Sequence, residues 1–446
     1  STQGYSSAAS DVYKRQNINS FNKKHHIIYY EWYLDIRGGG PTGYLANLLD
    51  GLNRCENNED PLIMFDTDIK RPSPPIQNPV GLHAVIQKWF YQKESTKSFY
   101  INRISRYQKA LHNNYVTFLN NYNDMFCNEE LFSKINLEQT KTIHVHTPGD
   151  AVKVKNTLNR LGKRDIKIML TCHTPEAASN EYYKSALEQG YYAGKAEEIR
   201  QGWKIVERKA FEYADILVFP SKEAMEPLLL TMEGFQGIVA SKDIRFMATG
   251  AKKLVSNLTK QEAKKKYGVE GKFVVGYVGR HNEIKGYDTL QKAASLVLDQ
   301  NPELCFLIGG AQGNAFAPLH HDRWIEAGWV NPADLFMALD VFILPNKMTY
   351  YDLVLLEVMS LGIPIIASRT GGNKSVQNLT NTLCLFDNTE KDLADKISMF
   401  SSMPSDKLLN IGKETYSAYE KYFTTTSFAQ RYIDTINKIY MDYQLL

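Results

Sequence analysis

The stretch KFVVGYVGRHNEIKGYDTL, residues 272–290, decides the fold. A β-branched apolar run ends in Gly279-Arg280, a polar turn follows, and Lys285-Gly286 opens a helical pattern. Short apolar runs alternating with helices are the signature of parallel strands buried on both faces. Working outward, ELCFLIGG (303–310), LDVFILP (339–345), IPIIAS (363–368) and TLCLF (382–386) continue the series. An earlier series comprises HIIYYEWYL (26–34), PLIMF (61–65), TIHVH (142–146), IKIMLTCH (166–173) and ADILVFPS (214–221). Two series of about five strands predict an α/β protein of two doubly wound domains rather than one large sheet. The boundary falls at 247–253, where MATGAKK loses periodicity. Phe428, Tyr432, Ile433, Ile436, Ile439 and Tyr440 recur at helical spacing, so the last helix is amphipathic and must dock.

Composition narrows the class without naming a chemistry. The 446 residues carry 52 basic and 49 acidic side chains, a net charge of +3, which gives no reason to expect nucleic acid as a partner. At 43% apolar and 23% charged the chain is globular in composition. Cys55, Cys127, Cys172, Cys305 and Cys384 are scattered without a CxxC pair, as expected of reduced thiols in a cytoplasmic protein. No run approaches the ~20 apolar residues of a membrane span. STQGYSSAASDVYKRQ lacks an apolar signal core, so residues 1–24 are expected to be a disordered leader or a cloning remnant. Residues 85–111 carry Lys88, Lys93, Lys97, Arg103, Arg106 and Lys109 against Glu94, interleaved with aromatics. That pattern fits a solvated helix face with its aromatics on the core, or a weak contact with an anionic membrane.

Several motifs are candidates for the chemistry. GGGPTG (38–43) follows the first strand; Gly38, Gly40 and Gly43 satisfy GxGxxG, and Asp66 lies 23 residues after Gly43. This is the spacing of a dinucleotide site with its ribose acid, so an NAD-dependent oxidoreductase is one alternative. Pro41 inside the turn, and the lack of a hydride-transfer constellation elsewhere, count against it. Asp66-Thr67-Asp68 has the form of a metal-holding DxD, yet a solvated pair is the better reading. His144 and His146 share a strand face and His173 ends the next strand, where ligands of parallel sheets bind. Hydrogen bonding to a polar substrate outranks a metal there. Arg280 and Lys285 beside glycine turns are placed to neutralise a diphosphate, although such a pair taken alone is more often surface charge. Glu357, inside an apolar helical run, is either a structural carboxylate or an acceptor from ribose hydroxyls.

The order of a glycine loop, a mid-domain His, GR…KG, and then LxxLE…G.P.IAS..GG resembles the retaining nucleotide-sugar glycosyltransferases of family four. VERKAFEYADILVFPSKEA (206–224) and GWVNPADLFMALDVFILP (328–345) add to that resemblance. It implies the GT-B fold, two Rossmann-like domains facing a cleft. The first would span 25–248 and bind the acceptor, the second 249–425 and bind the donor, and helix 426–446 would cross back onto the first. It further implies that Arg280 and Lys285 bind the donor diphosphate and that Glu357 binds the ribose. Gly39, Gly40 and Gly43 would lie in the N-terminal loop, and His173 near the donor sugar. Gly328, Trp329 and Val330 would meet the base, with Asp352, Leu353 and Val354 beside the donor.

Two departures stand out. The first acid of the family's Glu–seven residues–Glu motif falls on Thr349, and the usual Phe-Gly is Tyr351-Asp352. Asp352 is the candidate replacement carboxylate. The resulting expectation is a retaining transfer of a sugar from a nucleotide-sugar to a saccharide or lipid-linked acceptor, in polysaccharide or glycoconjugate synthesis. No metal or cofactor is expected, and the protein is placed in the cytoplasm or peripherally on the inner membrane face. An inactive glycosyltransferase-like binding subunit is the other alternative, motivated by Thr349 and Asp352.

Overall fold

The computed structural model describes residues 25–30, 40–55, 62–65, 136–188, 191, 193–310 and 316–445. The leader, Gly38 and Gly39, the Asp66–Asp68 motif, residues 85–111 and Cys127 lie outside the described residues.

The first sheet collects β1 (His26–Tyr30), β2 (Leu62–Phe65), β3 (Thr142–Val145), β4 (Lys167–Leu170), β5 (Ile216–Phe219) and β6 (Asp243–Phe246), in the order β2-β1-β3-β4-β5-β6. Every pairing is parallel. Around it run α1 (Pro41–Leu52), α2 (Pro148–Arg160), α3 (Ala178–Glu188), α4 (Ala193–Tyr213), α5 (Glu226–Thr231) and α6 (Phe235–Ala240). After α7 (Lys260–Lys266) comes the second sheet, with β7 (Phe273–Val278), α8 (Tyr287–Leu298), β8 (Leu304–Gly309), β9 (Trp324–Gly328) and α9 (Pro332–Met337). It continues through β10 (Val341–Leu344), α10 (Leu353–Met359), β11 (Ile365–Ser368), α11 (Gly371–Thr380), β12 (Leu383–Phe386) and α12 (Glu390–Ser401). Its order is β12-β11-β10-β7-β8-β9, also all parallel. Counted from β9, that is the doubly wound order 3-2-1-4-5-6, which reverses between β7 and β10.

Among the described residues each sheet has six strands, one more than expected. The sequence-based expectation passes over DIRF at β6, because Asp243 and Arg245 interrupt any apolar run. It passes over WIEAG at β9 because Glu326 and small residues break the pattern. Among the described residues both are edge strands, with one side unpaired, so polar residues are tolerated there. The central strands β3, β5 and β10 are buried along their whole length, as an apolar run sandwiched by helices must be.

The chain closes with α13 (Ser405–Tyr422) and α14 (Thr425–Asp442). The first packs on α10 in the second domain; the second packs on α1 in the first. Phe428, Ala429, Tyr432, Ile436 and Ile439 of α14 share a core cluster with Tyr44, Leu45, Leu48 and Leu49 of α1. The approach is close because α1 carries Gly51. A Cβ there would stand 2.0 Å from the Thr425 carbonyl oxygen and 2.9 Å from the Ala429 Cβ.

No helix among the described residues is long and apolar enough to cross a membrane.

A methyl group at Gly51 has no space to enter. Gly51→Ala is expected to lower stability by about 1–3 kcal/mol, read as a lower urea midpoint; an unchanged midpoint would refute the close contact of α1 with α14.

Candidate active site

In an open parallel sheet, ligands bind outside the carboxyl ends of the strands where the order reverses, because the two flanking loops diverge and leave a crevice. In the second domain that point lies between β7 and β10. The loop after β7 carries Arg280 and Lys285, and the loop after β10 carries Asn346 to Asp352.

Local chemistry fixes both loops. Tyr277 donates its hydroxyl to the Arg280 carbonyl at 2.7 Å, and the Lys285 amide donates to Asn282 Oδ1 at 3.0 Å. Gly286 caps α8 with φ +68°, and a Cβ there would stand 1.8 Å from the Pro345 carbonyl oxygen. The two loops therefore touch, and the Lys347 amide donates to the Ile284 carbonyl at 2.8 Å.

Lys285 Nζ donates to Asp352 Oδ1 at 2.6 Å. Asp352 Oδ2 accepts from Thr349 Oγ1 at 3.0 Å and from Asn346 Nδ2. Thr349, which stands where the family has its first acid, thus helps to hold a carboxylate three residues farther on. Leu353 and Val354 begin α10 directly after that carboxylate.

One helical turn later, Glu357 is half-buried on α10, and no hydrogen bond or ion pair reaches its carboxylate from the described residues. Burial pushes it up to about 7. The structural alternative for Glu357, a carboxylate satisfied by an arginine or the backbone, finds no such partner among the described residues. Arg280 is exposed, and its charge acts on Glu181 of α3, a carboxylate of the first domain that burial pushes up to about 7 against the pull of Arg280. Gly328 ends β9 with φ +67°, and Trp329 beyond it is 79% exposed, with Val330 half-buried.

The first domain contributes a row of histidines. Tyr432 of α14 places its hydroxyl 2.8 Å from His26 Nε2 and 2.9 Å from His144 Nδ1. Thr142 and Thr171 take the other nitrogens of these two rings, at 2.6 Å and 2.8 Å. His144 is therefore a structural residue rather than a substrate contact. His146 follows, 4.3 Å from His144 by ring centroids, and its Nδ1 meets His173 Nε2 at 3.1 Å. Burial pushes His173 down to about 3, and burial with its neighbouring imidazoles holds His146 well below the usual histidine range. Tyr44, one residue after the buried Gly43, packs its ring on His173 at 4.8 Å. Gly40 caps α1 with φ +64°.

The domains meet at this place. Tyr350 enters the core cluster of the first domain, 6.2 Å from both His173 and Phe219, and its hydroxyl donates to the Val218 carbonyl at 3.5 Å. Glu226 of α5 accepts from the Gly371 amide of α11 at 3.1 Å and pairs with Lys374. His173, Arg280, Lys285, Asp352 and Glu357 thus belong to loops and helix ends at the carboxyl edges of two sheets that face each other. Tyr44, Tyr350 and Asn346 escaped the sequence reading, and Tyr432 entered it only as a docking position of the last helix. Tyr350 had a signal, being a large aromatic in a polar loop with no core of its own to join.

Residues 272–402 match the family model described as Glycosyl transferases group 1. A D-inositol 3-phosphate glycosyltransferase of Corynebacterium jeikeium is 25% identical over 191 residues, which cover 38% of this chain and 44% of that protein. The putative glycosyltransferase YtcC of Bacillus subtilis is 26% identical over 196 residues, covering 40% and 47%. The chain thus spans less than half the length of these curated relatives. A sucrose-phosphate synthase from Thermosynechococcus elongatus superposes with a TM-score of 0.57 at 17% identity, covering 94% of this chain and 100% of that one. Anabaena HepE, solved in complex with UDP and glucose, gives 0.56 at 12% identity, covering 93% and 99%. The chain has the GT-B fold that it shares with these two structures, and its sequence similarity to the group 1 glycosyl transferases is carried by residues 272–402.

Proposed function

We propose that this chain transfers a sugar from a nucleotide-sugar to a saccharide or lipid-linked acceptor, with retention of anomeric configuration. The observation that carries the reading is the grouping, at the reversal point of the second sheet, of Lys285 on Asp352, the exposed Arg280, and Glu357 with no partner among the described residues. Two cations answer a diphosphate, and a carboxylate without a partner among the described residues answers a pair of vicinal hydroxyls. The exposed Trp329 offers a face on which a base can stack.

In the proposed reaction the anomeric carbon–oxygen bond to the diphosphate breaks as the acceptor oxygen bonds to the same face of that carbon. The leaving diphosphate takes the acceptor proton, and Arg280 and Lys285 stabilise the charge it gains. His173 orients the donor sugar. Asp352 holds Lys285 in place until the diphosphate arrives, and takes the part of the acid that Thr349 replaces. The reading needs no protein nucleophile, and the two cations do the work for which other transferases use a divalent metal. A binding subunit without turnover is the second reading, favoured by the commitment of Asp352 to Lys285, Asn346 and Thr349.

A thermal-shift panel separates the readings. A UDP-, GDP- or ADP-sugar at a hundredfold its Kd is expected to stabilise the protein by about 2.7 kcal/mol. A response to NAD(H) instead would point to an oxidoreductase, and binding without hydrolysis or transfer to the inactive subunit. Arg280→Ala and Lys285→Ala are each expected to lower turnover about 10²–10³-fold, with wild-type turnover unchanged by a chelator; near-normal rates in both variants would overturn the assignment.

Glu357 gives a pH test. Its carboxyl, raised from about 4.5 to about 7, is ionised above that pH and protonated below it. Donor affinity is therefore expected to fall as pH drops from about 8 to about 6, and Glu357→Gln should bind weakly with a flat profile over the same range. A titration by calorimetry that shows the same slope in both proteins would remove Glu357 from the ribose role.

A further inference from the structure

The contact between His146 and His173 has a consequence for which atom His173 presents to a ligand. His146 Nδ1 and His173 Nε2 lie 3.1 Å apart, so one nitrogen carries a hydrogen and the other is bare. Burial keeps both rings neutral, which leaves each with a single N–H.

Two arrangements satisfy the contact. In the first, His146 Nδ1–H donates to a bare His173 Nε2; His146 Nε2 is then bare and His173 carries its hydrogen on Nδ1. In the second, His173 Nε2–H donates to a bare His146 Nδ1, and His146 must carry its own hydrogen on Nε2. His146 Nε2 is buried and has no partner among the described residues. The adjacent His144 has both nitrogens engaged, by Tyr432 and Thr171, and takes nothing from His146. A buried N–H without an acceptor is rarer and costlier than a buried acceptor without a donor, so the first arrangement is favoured.

We infer that His146 is a positioning residue that locks His173 as its Nδ1–H tautomer, so that His173 offers a substrate an N–H donor rather than a lone pair. The nitrogen so presented has no partner among the described residues, and Tyr350 of the second domain packs beside the same ring. Its ligand is an oxygen acceptor, a hydroxyl of the donor sugar; that identity rests on the proposed transfer, whereas the tautomer does not. Tyr44 lies against both rings, at 5.3 Å from His146 and 4.8 Å from His173.

The test reads the tautomer directly in the full chain without donor, by nitrogen chemical shifts and ring couplings of labelled histidine, with His173→Gln to assign the signal. The expected result is a His173 Nδ1–H form in the wild type, a tautomer mixture in His146→Phe, and retention of the wild-type form in His146→Asn, whose amide nitrogen sits where Nδ1 was. With a donor identified, His146→Phe should lower kcat on the order of tenfold, the worth of one hydrogen bond, with KM little changed, and His146→Asn should restore it. A wild-type Nε2–H signal for His173, or a signal that His146→Phe does not move, would overturn the inference; the wild-type spectrum decides the matter even if His146→Phe does not fold. Because no donor is present in that spectrum, failure of the tautomer and failure of the transfer reading are seen separately.

Discussion

Everything at the site depends on a reversal of strand order. A sheet whose strands all run one way puts every loop that follows a strand on one edge, and successive crossovers on one side keep those loops packed against each other. Between β7 and β10 the crossovers turn opposite ways, which brings the loops after these two strands together at the edge where a sheet of this kind takes its ligand. A backbone hydrogen bond from Lys347 to Ile284 joins the two loops, and the ion pair of Lys285 with Asp352 joins them again at 2.6 Å. The pair is part-buried, where a charge is kept by its partners rather than by water, and Asp352 has two further donors.

The architecture was legible in the sequence wherever strands are central. IIYY, VFIL and IIAS are apolar because helices cover them on both faces, and burial on both faces leaves no alternation to misread. The edge strands β6 and β9 were illegible for the opposite reason, since exposure lets Asp243, Arg245 and Glu326 into the run. At the site, the cations and Glu357 were legible as residue types in a conspicuous order. Their relations were not. That Thr349 steadies Asp352 depends on the turn of the loop into α10, and that Tyr350 belongs to the other domain's core depends on how two separate sheets meet.

The histidines show the same limit in sharper form. TIHVH announces two imidazoles on one face of a strand, and the distance between them bears this out. What no local pattern conveys is that one is consumed by a tyrosine 288 positions away while the other reaches toward the next strand. Neighbouring residues of the same type, on one face, thus have different work because long-range partners differ. Burial supplies the common condition, as it holds the rings uncharged and makes every hydrogen bond among them directional and specific.

Among the described residues the polypeptide passes between its two domains twice, near residues 247–251 and again at 423–425, and the crossings lie side by side. The Ala251 amide donates to the Phe423 carbonyl at 2.9 Å, and Tyr419 donates its hydroxyl to the Ala251 carbonyl at 2.9 Å. Two connections bonded to one another form a seam, not a pair of independent tethers. A single linker leaves a domain free to swivel and slide; a seam permits swing about its own line and resists the rest. The distal rim, with Tyr350 in its slot and Glu226 on α11, is then the latch edge of a door whose axis is fixed by the chain itself.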